Sequence, residues 1–514
     1  MSGEDTIVVG AGAGGLAAAI SLAANGRSVT VLDRAERPGG KMRNIDVDGA
    51  PVPAGPTVLT MRWAFDALLE PIGLQLEDLV TVRRSDVLAR HAWTDGSRLD
   101  LHEDLDRTID AIHEFAGPKD AKAYRGFVAE ARRIHDILLD THMRAQRPSF
   151  LGLMRRIGPR RFPDMMALRP YTSLWRALDQ RFSDPRLVQM LGRYATYTGS
   201  SPYTIPATLM LVSHVEREGV WRIEGGMGAL ADALRGVAER LGVRFEFGSH
   251  VERIGVEGGQ ANRVDTATAS YSAANVVLNV DASAATELVP EARVRRVKPA
   301  KRSHSAITYC TRAETDFPLA HHTVFFSSDY KREFEELSRG RVPNEPTTYI
   351  CAPDRDDGGR WERDVPTGGE RMLLLVNAPA NGDTTDHAEE GERCRHRMTA
   401  LLERCGMRAE WTASETTTPT DFAELFPTTG GALYGRINDG PFAGFERPGA
   451  ATHLPNLTLA GGSCHPGPGV PMSTISGMLA AERLMAVPAS TQRSRPAATF
   501  GGTSTASAMM DATP

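Results

Sequence analysis

A short apolar, β-branched run, Thr6-Ile7-Val8-Val9, ends at Gly10, and Gly10, Gly12 and Gly15 then fall at the spacing G-x-G-x-x-G. Leu16 to Asn25 reads as a small-residue helix, and Val29-Thr30-Val31-Leu32-Asp33 as a second strand ending in an acid. Strand, turn, helix and strand together make the context in which this spacing binds a dinucleotide. Gly10 permits the tight turn, and Gly12 lets backbone N–H groups approach a pyrophosphate. Gly15 lets helix and strand pack closely, and the helix N-terminus adds partial positive charge. Asp33 can accept hydrogen bonds from a ribose hydroxyl pair. The alternative is a glycine-rich turn with no ligand; the complete βαβ unit argues against it.

At 514 residues the chain is too long for one simple core, so two or more domains are expected. The net charge of −5 gives no reason to expect nucleic acid. The five cysteines are scattered, none at CxxC spacing, which indicates neither a disulfide framework nor a zinc site. A reducing cytoplasm is the default. No signal peptide and no apolar run long enough to span a membrane is visible. The Ser/Thr/Ala/Pro/Gly-rich stretch from 488 to 514 is expected to be disordered.

After Asp33, Arg37-Pro38-Gly39-Gly40-Lys41-Met42-Arg43 offers two glycines for a close backbone pass, and Lys41 and Arg43 as phosphate counter-charges. Pro53-Ala54-Gly55-Pro56-Thr57 fixes a bend. Residues 143–169 interleave Arg144, Arg147, Arg155, Arg156, Arg160, Arg161 and Arg169 with apolar side chains such as Phe150, Leu151, Leu153, Met154, Met165 and Met166. This mixture suits an anionic membrane surface; the competing reading is a solvated helix with one face in the core. Pro148, Pro159 and Pro163 break any long helix there. The tyrosine-rich stretch Met190 to Tyr203, within 190–210, reads as a helix end with buried tyrosines or as a pocket wall, the pattern favouring the first. Val276 to Asp281 reads as a further buried strand, and His321-His322 as structural.

The last ordered stretch enters Gly461-Gly462-Ser463-Cys464-His465-Pro466-Gly467-Pro468-Gly469 from a strand, and Pro471 opens a helix through Met485. Such a helix N-terminus is a second anion or carbonyl site. A chain whose far end makes a second glycine-rich strand–loop–helix can close over a two-part cofactor. That favours FAD over a nicotinamide nucleotide.

The fingerprint, Arg37 to Lys41, Ala54-Gly55-Pro56-Thr57, Gly225-Gly226-Met227 and Gly461 to Pro471 together resemble the bacterial carotenoid desaturases of the phytoene-desaturase type, over nearly all of residues 5–487. Gly55 to Trp63 and Ala460 to Met472 look more like the hydroxyneurosporene/methoxyneurosporene desaturases, which act on 1-hydroxycarotenoids. Two residues depart from the pattern: Asp33 stands where the family more often has Glu, and Cys464 where Thr or Ser is usual.

The resemblance implies an α/β fold: a Rossmann-like FAD-binding domain of the glutathione-reductase/amine-oxidase type with an inserted α+β substrate domain. The expected division is 1–80, 220–284 and 421–487 for FAD, and 81–219 and 285–420 for the substrate. The implied cofactor residues are Gly10, Gly12, Gly14, Gly15, Asp33, Arg34, Gly40, Lys41, Gly55, Pro56, Thr57, Val251, Gly461, Gly462, Val470, Pro471 and Met472; no metal is implied. The implied reaction is 3,4-desaturation of a long apolar carotenoid, with hydride transferred to flavin N5 and the neighbouring proton taken by a base. His465 is the leading candidate base, although a purely structural role in its loop is slightly favoured; Arg193 and Tyr194 are weaker candidates. The expected setting is the cytoplasmic side of the membrane, with residues 143–169 as the docking segment; the electron acceptor is not legible. The alternatives are a phytoene desaturase, an oxidase of the flavin amine-oxidase type, and a flavin- or carotenoid-binding protein without turnover.

Overall fold

The computed structural model describes residues 5–146, 149–158, 162–361 and 368–486. The 488–514 tail expected to be disordered lies outside the described residues, as do Arg147, Pro148, Pro159, Arg160 and Arg161 of the basic segment.

Two sheets organise the chain. The first is wholly parallel, in the order Leu457–Leu459, Asn275–Leu278, Thr6–Val9, Val29–Leu32, Arg244–Glu246. Its three middle strands are buried at every position, as a parallel sheet covered on both faces requires. The helix Ala13–Ala24 is built almost entirely from Ala, Gly, Leu and Ile and is buried nearly all round. Its small residues allow a backbone-to-backbone approach by the helix Val470–Met485: a Cβ on Gly477 would stand 2.1 Å from the carbonyl oxygen of Gly14. The first and last described helices are thereby locked together. A three-stranded antiparallel meander, Val251–Glu257, Gln260–Thr266 and Ser270–Ser272, is added to this domain.

The second sheet has seven strands in the order Ala409–Thr417, Ser305–Thr315, Glu370–Ala378, Thr348–Cys351, His322–Phe325, Val87–Ala92, Arg98–His102. Only the pairing of His322–Phe325 with Val87–Ala92 is parallel. The alternation of strand side chains divides its faces. Ile307, Tyr309, Phe325, Ile350, Leu374 and Val376 join Cys394, Met398 and Leu401 of the helix Ala388–Arg404 in one core. Their neighbours Thr308, Val324, Tyr349, Leu375 and Asn377 point the other way, into a cavity. Helices between Leu105 and Glu218 close that side around Tyr124, Phe127 and Leu191. Where the chain leaves and re-enters the first domain, Val82–Arg84 pairs with Trp221–Ile223. All strands of the parallel sheet lie within 6–32, 244–278 and 457–459, and those of the seven-stranded sheet within 87–102 and 305–417.

Candidate active site

A cavity of about 1560 Å³ runs between the two domains. That exceeds the several hundred Å³ typical of a site for one small ligand, and it suits a dinucleotide together with a second long molecule. One end is formed by Gly10, Gly12, Gly14, Asp33, Arg34, Gly39 to Arg43, Ser249 to Glu252, Asn279 and Gly461. The other is walled by Leu138, Met143, Phe150, Leu153, Met165, Leu168, Ile205, Leu209, Val212 and Val215.

The glycine-lined end is built at very short range. Gly10 takes φ +101°, and a Cβ on Gly15 would lie 1.9 Å from the Gly10 carbonyl oxygen. The Gly10 carbonyl accepts a hydrogen bond from Asn279 Nδ2 at 3.1 Å. Asn279 is also the nearest obstacle to a side chain at Gly12, Gly14 and Gly461, with distances of 2.9, 2.6 and 2.9 Å from the added Cβ. One amide side chain thus holds both glycine loops. In the sequence it is simply the last apolar-flanked position of a buried strand, and nothing local marks it.

Asp33 accepts from the backbone N–H of Ala11 at 2.7 Å and of Ala35 at 2.8 Å, one bond on each oxygen. Each oxygen keeps a lone pair for a ribose hydroxyl. Gly39 N–H donates to Ala11 O at 2.8 Å, joining the Arg37–Arg43 loop to the fingerprint. Gly55 is required by its neighbour, since a Cβ there would stand 1.9 Å from the Lys41 carbonyl oxygen. Lys41 donates to Leu433 O at 2.6 Å and lies 4.9 Å from the Phe426 ring centroid; burial lowers its pKa. Arg34 spends its guanidinium on the carbonyls of Glu424 and Leu425, at the cavity rim. Pro56 and Thr57 line the middle of the cavity, and Val251 lines it near Ser249, whose N–H donates to Asp33 O at 2.8 Å. Gly462, Val470, Pro471 and Met472 line it from the far loop, with the helix beginning at Val470 after Gly469. Gly15 alone of the expected cofactor residues does not line the cavity; its role is the close approach to Gly10. The glycines without side chains, the two buried helix N-termini and the acid at the strand end fit FAD.

His465 is placed differently from the expectation. Pro466 to Ser473 line the cavity, but His465 does not. It is 2 % exposed, stacks edge-on against His142 with centroids 4.8 Å apart, and donates its backbone N–H to Pro448 O at 2.8 Å. Burial pushes its pKa down to about 4. Beside it, His142 in the π-turn Leu139–Met143 does line the cavity, its pKa pushed down to about 3 by burial and by His465.

The two weaker candidate bases are unsuited to that role. Tyr194 lies off the cavity wall and donates its hydroxyl to Glu216 Oε2 at 2.6 Å, while burial and Glu216 push its pKa up. Arg193 does line the cavity, but Tyr197 and Glu216 beside it hold its pKa above the usual guanidinium value. The tyrosine-rich run therefore combines both readings: Tyr194 is buried core, and Tyr197 lines the pocket.

A second polar group joins Thr57 Oγ1 and Tyr349 OH on the wall to the buried His322 Nδ1, through contacts of 2.6 and 2.7 Å. Behind it, His321 Nε2 and Cys351 Sγ approach to 3.7 Å, and the ligand atoms of His321, His322 and Cys351 lie within 4.8 Å of one another. His321 Nδ1 bonds to Arg355 O at 3.1 Å. All five cysteines are buried and free.

Residues 13–485 match the flavin containing amine oxidoreductase family. The chain is 46 % identical over 514 residues to a hydroxyneurosporene desaturase of Rubrivivax gelatinosus, covering 98 % of this chain and 97 % of that one. It is 41 % identical over 501 residues to a hydroxyneurosporene desaturase of Cereibacter sphaeroides, covering 95 % and 98 %. The fold is similar to that of an oxidoreductase from Methanosarcina mazei, at TM-score 0.61 and 18 % identity, covering 93 % of this chain and 100 % of the other.

Proposed function

The chain belongs to the flavin containing amine oxidoreductase family, and within it to the carotenoid desaturases; from that premise we propose that it is an FAD-dependent 1-hydroxycarotenoid 3,4-desaturase of carotenoid biosynthesis. The observation that carries this reading is the single cavity running from the paired glycine loops to an apolar wall. When bound, FAD accepts the hydride that a CH–CH desaturation releases.

The protein's own part is positioning. The N-termini of Ala13–Ala24 and Val470–Met485 face the same cavity and favour the anionic and carbonyl parts of the cofactor. Asp33 would hold the ribose, and Lys41 would supply a donor at the Gly39–Gly40 turn. Leu153, Met165, Leu168, Leu209 and Val212 offer a dry wall to a polyene and keep water from the reacting bond. Beside a conjugated chain the substrate itself delocalises the positive charge left by hydride loss, and the double bond forms when the neighbouring carbon gives up its proton to an acceptor.

Access from a lipid surface accords with the same wall. The helix Phe150–Ile157 turns Leu153 and Ile157 inward and leaves Leu151 79 % exposed; Met166 and Tyr171 nearby are 70 % and 78 % exposed. Among the described residues no helix is long and apolar enough to cross a membrane. The proposed attachment is therefore peripheral, on the cytoplasmic face, through the apolar side chains of residues 151–171. The arginines contribute less than their number suggests. Arg144 pairs with Asp140 at 3.1 Å, Arg169 with Glu130 at 3.3 Å, and Arg156 donates to Thr141 O at 2.9 Å.

The deciding experiment offers 1-hydroxyneurosporene, neurosporene and phytoene in parallel to the FAD-loaded protein in liposomes, followed by product identification. A new 3,4 double bond in the hydroxylated carotenoid is the expected product. Conversion of phytoene alone would replace the proposed substrate, and no conversion with a flavin that stays oxidised would remove the desaturase reading.

A further inference from the structure

A cavity meant for a hydrocarbon has no use for a charge, yet Arg193 stands in its apolar part between the helical wall and the seven-stranded sheet. Arg193 is only 6 % exposed. Its Nη1 donates to Tyr197 OH at 2.7 Å, and Nη2 lies 3.9 Å from Glu216 Oε1. Both carboxylate oxygens of Glu216 are already occupied by phenols, Tyr194 at 2.6 Å and Tyr197 at 2.9 Å. Glu216 therefore balances the charge of Arg193 without using up its hydrogen-bond donors. Nη2, 3.9 Å from its carboxylate neighbour, makes no hydrogen bond among the described residues and, unlike the fully enclosed Nε, is not sealed off from the cavity that Arg193 lines. A guanidinium carries five N–H donors and no acceptor, and leaving a buried donor unpaired is costly. The arrangement is complete only when something in the cavity supplies an acceptor.

Tyr349 lines the same cavity, and the charge of Arg193 bears on both Tyr349 and His322. The Tyr349 hydroxyl bridges His322 Nδ1 and Thr57 Oγ1, and Thr57 continues the Gly55–Pro56 bend that packs on Lys41. The polar cluster is thus tied to the cofactor end of the cavity rather than to its mouth. A substrate oxidised at C3–C4 and oxygenated at C1 needs its oxygen there, since C1 is only two bonds from C3.

We propose that Arg193, with Tyr349 and Thr57 alongside, is the recognition site for the C1 oxygen of the substrate, selecting carotenoids that carry a tertiary alcohol or its methyl ether over the unoxygenated hydrocarbon. This rests on the desaturase reading above. A donor-only guanidinium serves an alcohol and an ether alike, because both present an acceptor oxygen. The hydrocarbon leaves the donor unpaired, and a site built around a polar contact discriminates strongly against an analogue that lacks it.

The test compares Arg193→Gln, Arg193→Lys and Tyr349→Phe with the wild-type holoenzyme in phosphatidylcholine liposomes. It reads kcat/KM and Kd, the latter by quenching of intrinsic tryptophan fluorescence, for 1-hydroxyneurosporene and for neurosporene. In Arg193→Gln the preference for the hydroxylated substrate should fall by about tenfold or more, through loss on that substrate and near-constancy on neurosporene. Tyr349→Phe should move the ratio in the same direction by a smaller factor, and Arg193→Lys should restore part of it. An unchanged ratio in folded, flavin-loaded variants, or equal losses on both substrates, would overturn the proposal. If Arg193→Gln does not fold, Tyr349→Phe and Arg193→Lys decide it by the same ratio. Absence of binding and turnover of both carotenoids by the wild type would instead sink the desaturase reading, and this inference with it.

Discussion

Asn279 donates from Nδ2 to the carbonyl of Gly10 at 3.1 Å, and so ties the strand Asn275–Leu278 to the turn that begins the chain's first helix. The same side chain is the nearest obstacle at Gly12, Gly14 and Gly461. Asn279→Ala would leave the Gly10 carbonyl without this partner and open space between the two glycine loops. The expected cost is about 1–3 kcal/mol of stability, accompanied by a lower flavin content of the purified protein. Asn279→Asp keeps the volume but replaces the donor by an anion close to the expected pyrophosphate, and should lower flavin content further. Flavin absorbance per protein and thermal unfolding measure both; full flavin occupancy in both variants would remove Asn279 from the cofactor site.

The first and last described helices, Ala13–Ala24 and Val470–Met485, meet through glycines, which makes a steric prediction. Gly477→Ala places a Cβ 2.1 Å from the Gly14 carbonyl oxygen, forcing the helices Ala13–Ala24 and Val470–Met485 apart. Overpacking of this kind costs about 1–3 kcal/mol, and here it should also loosen FAD. Gly126→Ala is the control. It lies exposed within the helix Pro118–Leu138 with nothing within 4 Å of the new methyl, and should stabilise by about 0.5–1 kcal/mol. The two unfolding midpoints should move in opposite directions.

How far the site was legible follows from where its parts lie in the chain. Gly10 to Asp33 and Gly461 to Pro471 are contiguous strand–loop–helix units, so spacing alone reveals them. Asn279 acts on both loops from a strand that looks merely apolar, and its role exists only once three segments are brought together. His465 sits in a loop whose next residues do line the cavity, but its side chain turns to His142. Spacing cannot report which way a loop residue faces. Arg193, Thr57, Tyr349 and Glu216 come from four separate stretches and meet only because the helical layer closes over the sheet.

Glu333 carries a pH prediction. It is 2 % exposed; its Oε2 accepts from Ser327 Oγ at 2.9 Å and from Thr347 Oγ1 at 2.6 Å, while Oε1 has no partner among the described residues. Burial pushes its pKa up from 4.5 to about 7. The folded state therefore keeps a proton that the unfolded chain releases, so stability is fully present below pH 4.5 and is lost as pH rises to about 7. Glu333→Gln retains the acceptor and cannot ionise. Relative to wild type it should be more stable at pH 8, by up to about 3 kcal/mol, with the difference shrinking toward pH 5. Parallel unfolding curves at both pH values would contradict the assignment.

His465 gives the opposite sign. Buried and neutral in the fold, with a pKa pushed down to about 4, it takes up a proton on unfolding. It thus costs stability as pH falls from about 6.5 toward 4. His465→Ala should flatten that acid limb. At neutral pH it should lose about 1–2 kcal/mol from the vacated packing against His142. Because its ring is off the cavity wall, turnover of a hydroxycarotenoid should stay within a few-fold of wild type. Loss of turnover with flavin retained would return His465 to a chemical role.

The proposed docking surface and the cavity wall are two faces of the same short helices. Leu153, Met165 and Leu168 line the cavity, Leu151 and Met166 are 79 and 70 % exposed, and Tyr171, 78 % exposed, belongs to both. A carotenoid leaving a bilayer at this surface would meet the apolar wall without crossing water. Burying an exposed side chain of this size in lipid is worth about 1.5–3 kcal/mol when complete. Replacing Leu151 and Met166 together by serine should therefore weaken liposome binding at least tenfold. Turnover of detergent-solubilised substrate should change little, because neither residue lines the cavity. Since Arg144 and Arg169 are paired within the protein, raising the salt concentration should release much less protein than the serine variant does. Co-sedimentation unchanged by the substitutions but abolished by salt would shift the attachment from the apolar face to the arginines; co-sedimentation unchanged by either would place the attachment elsewhere on the molecule.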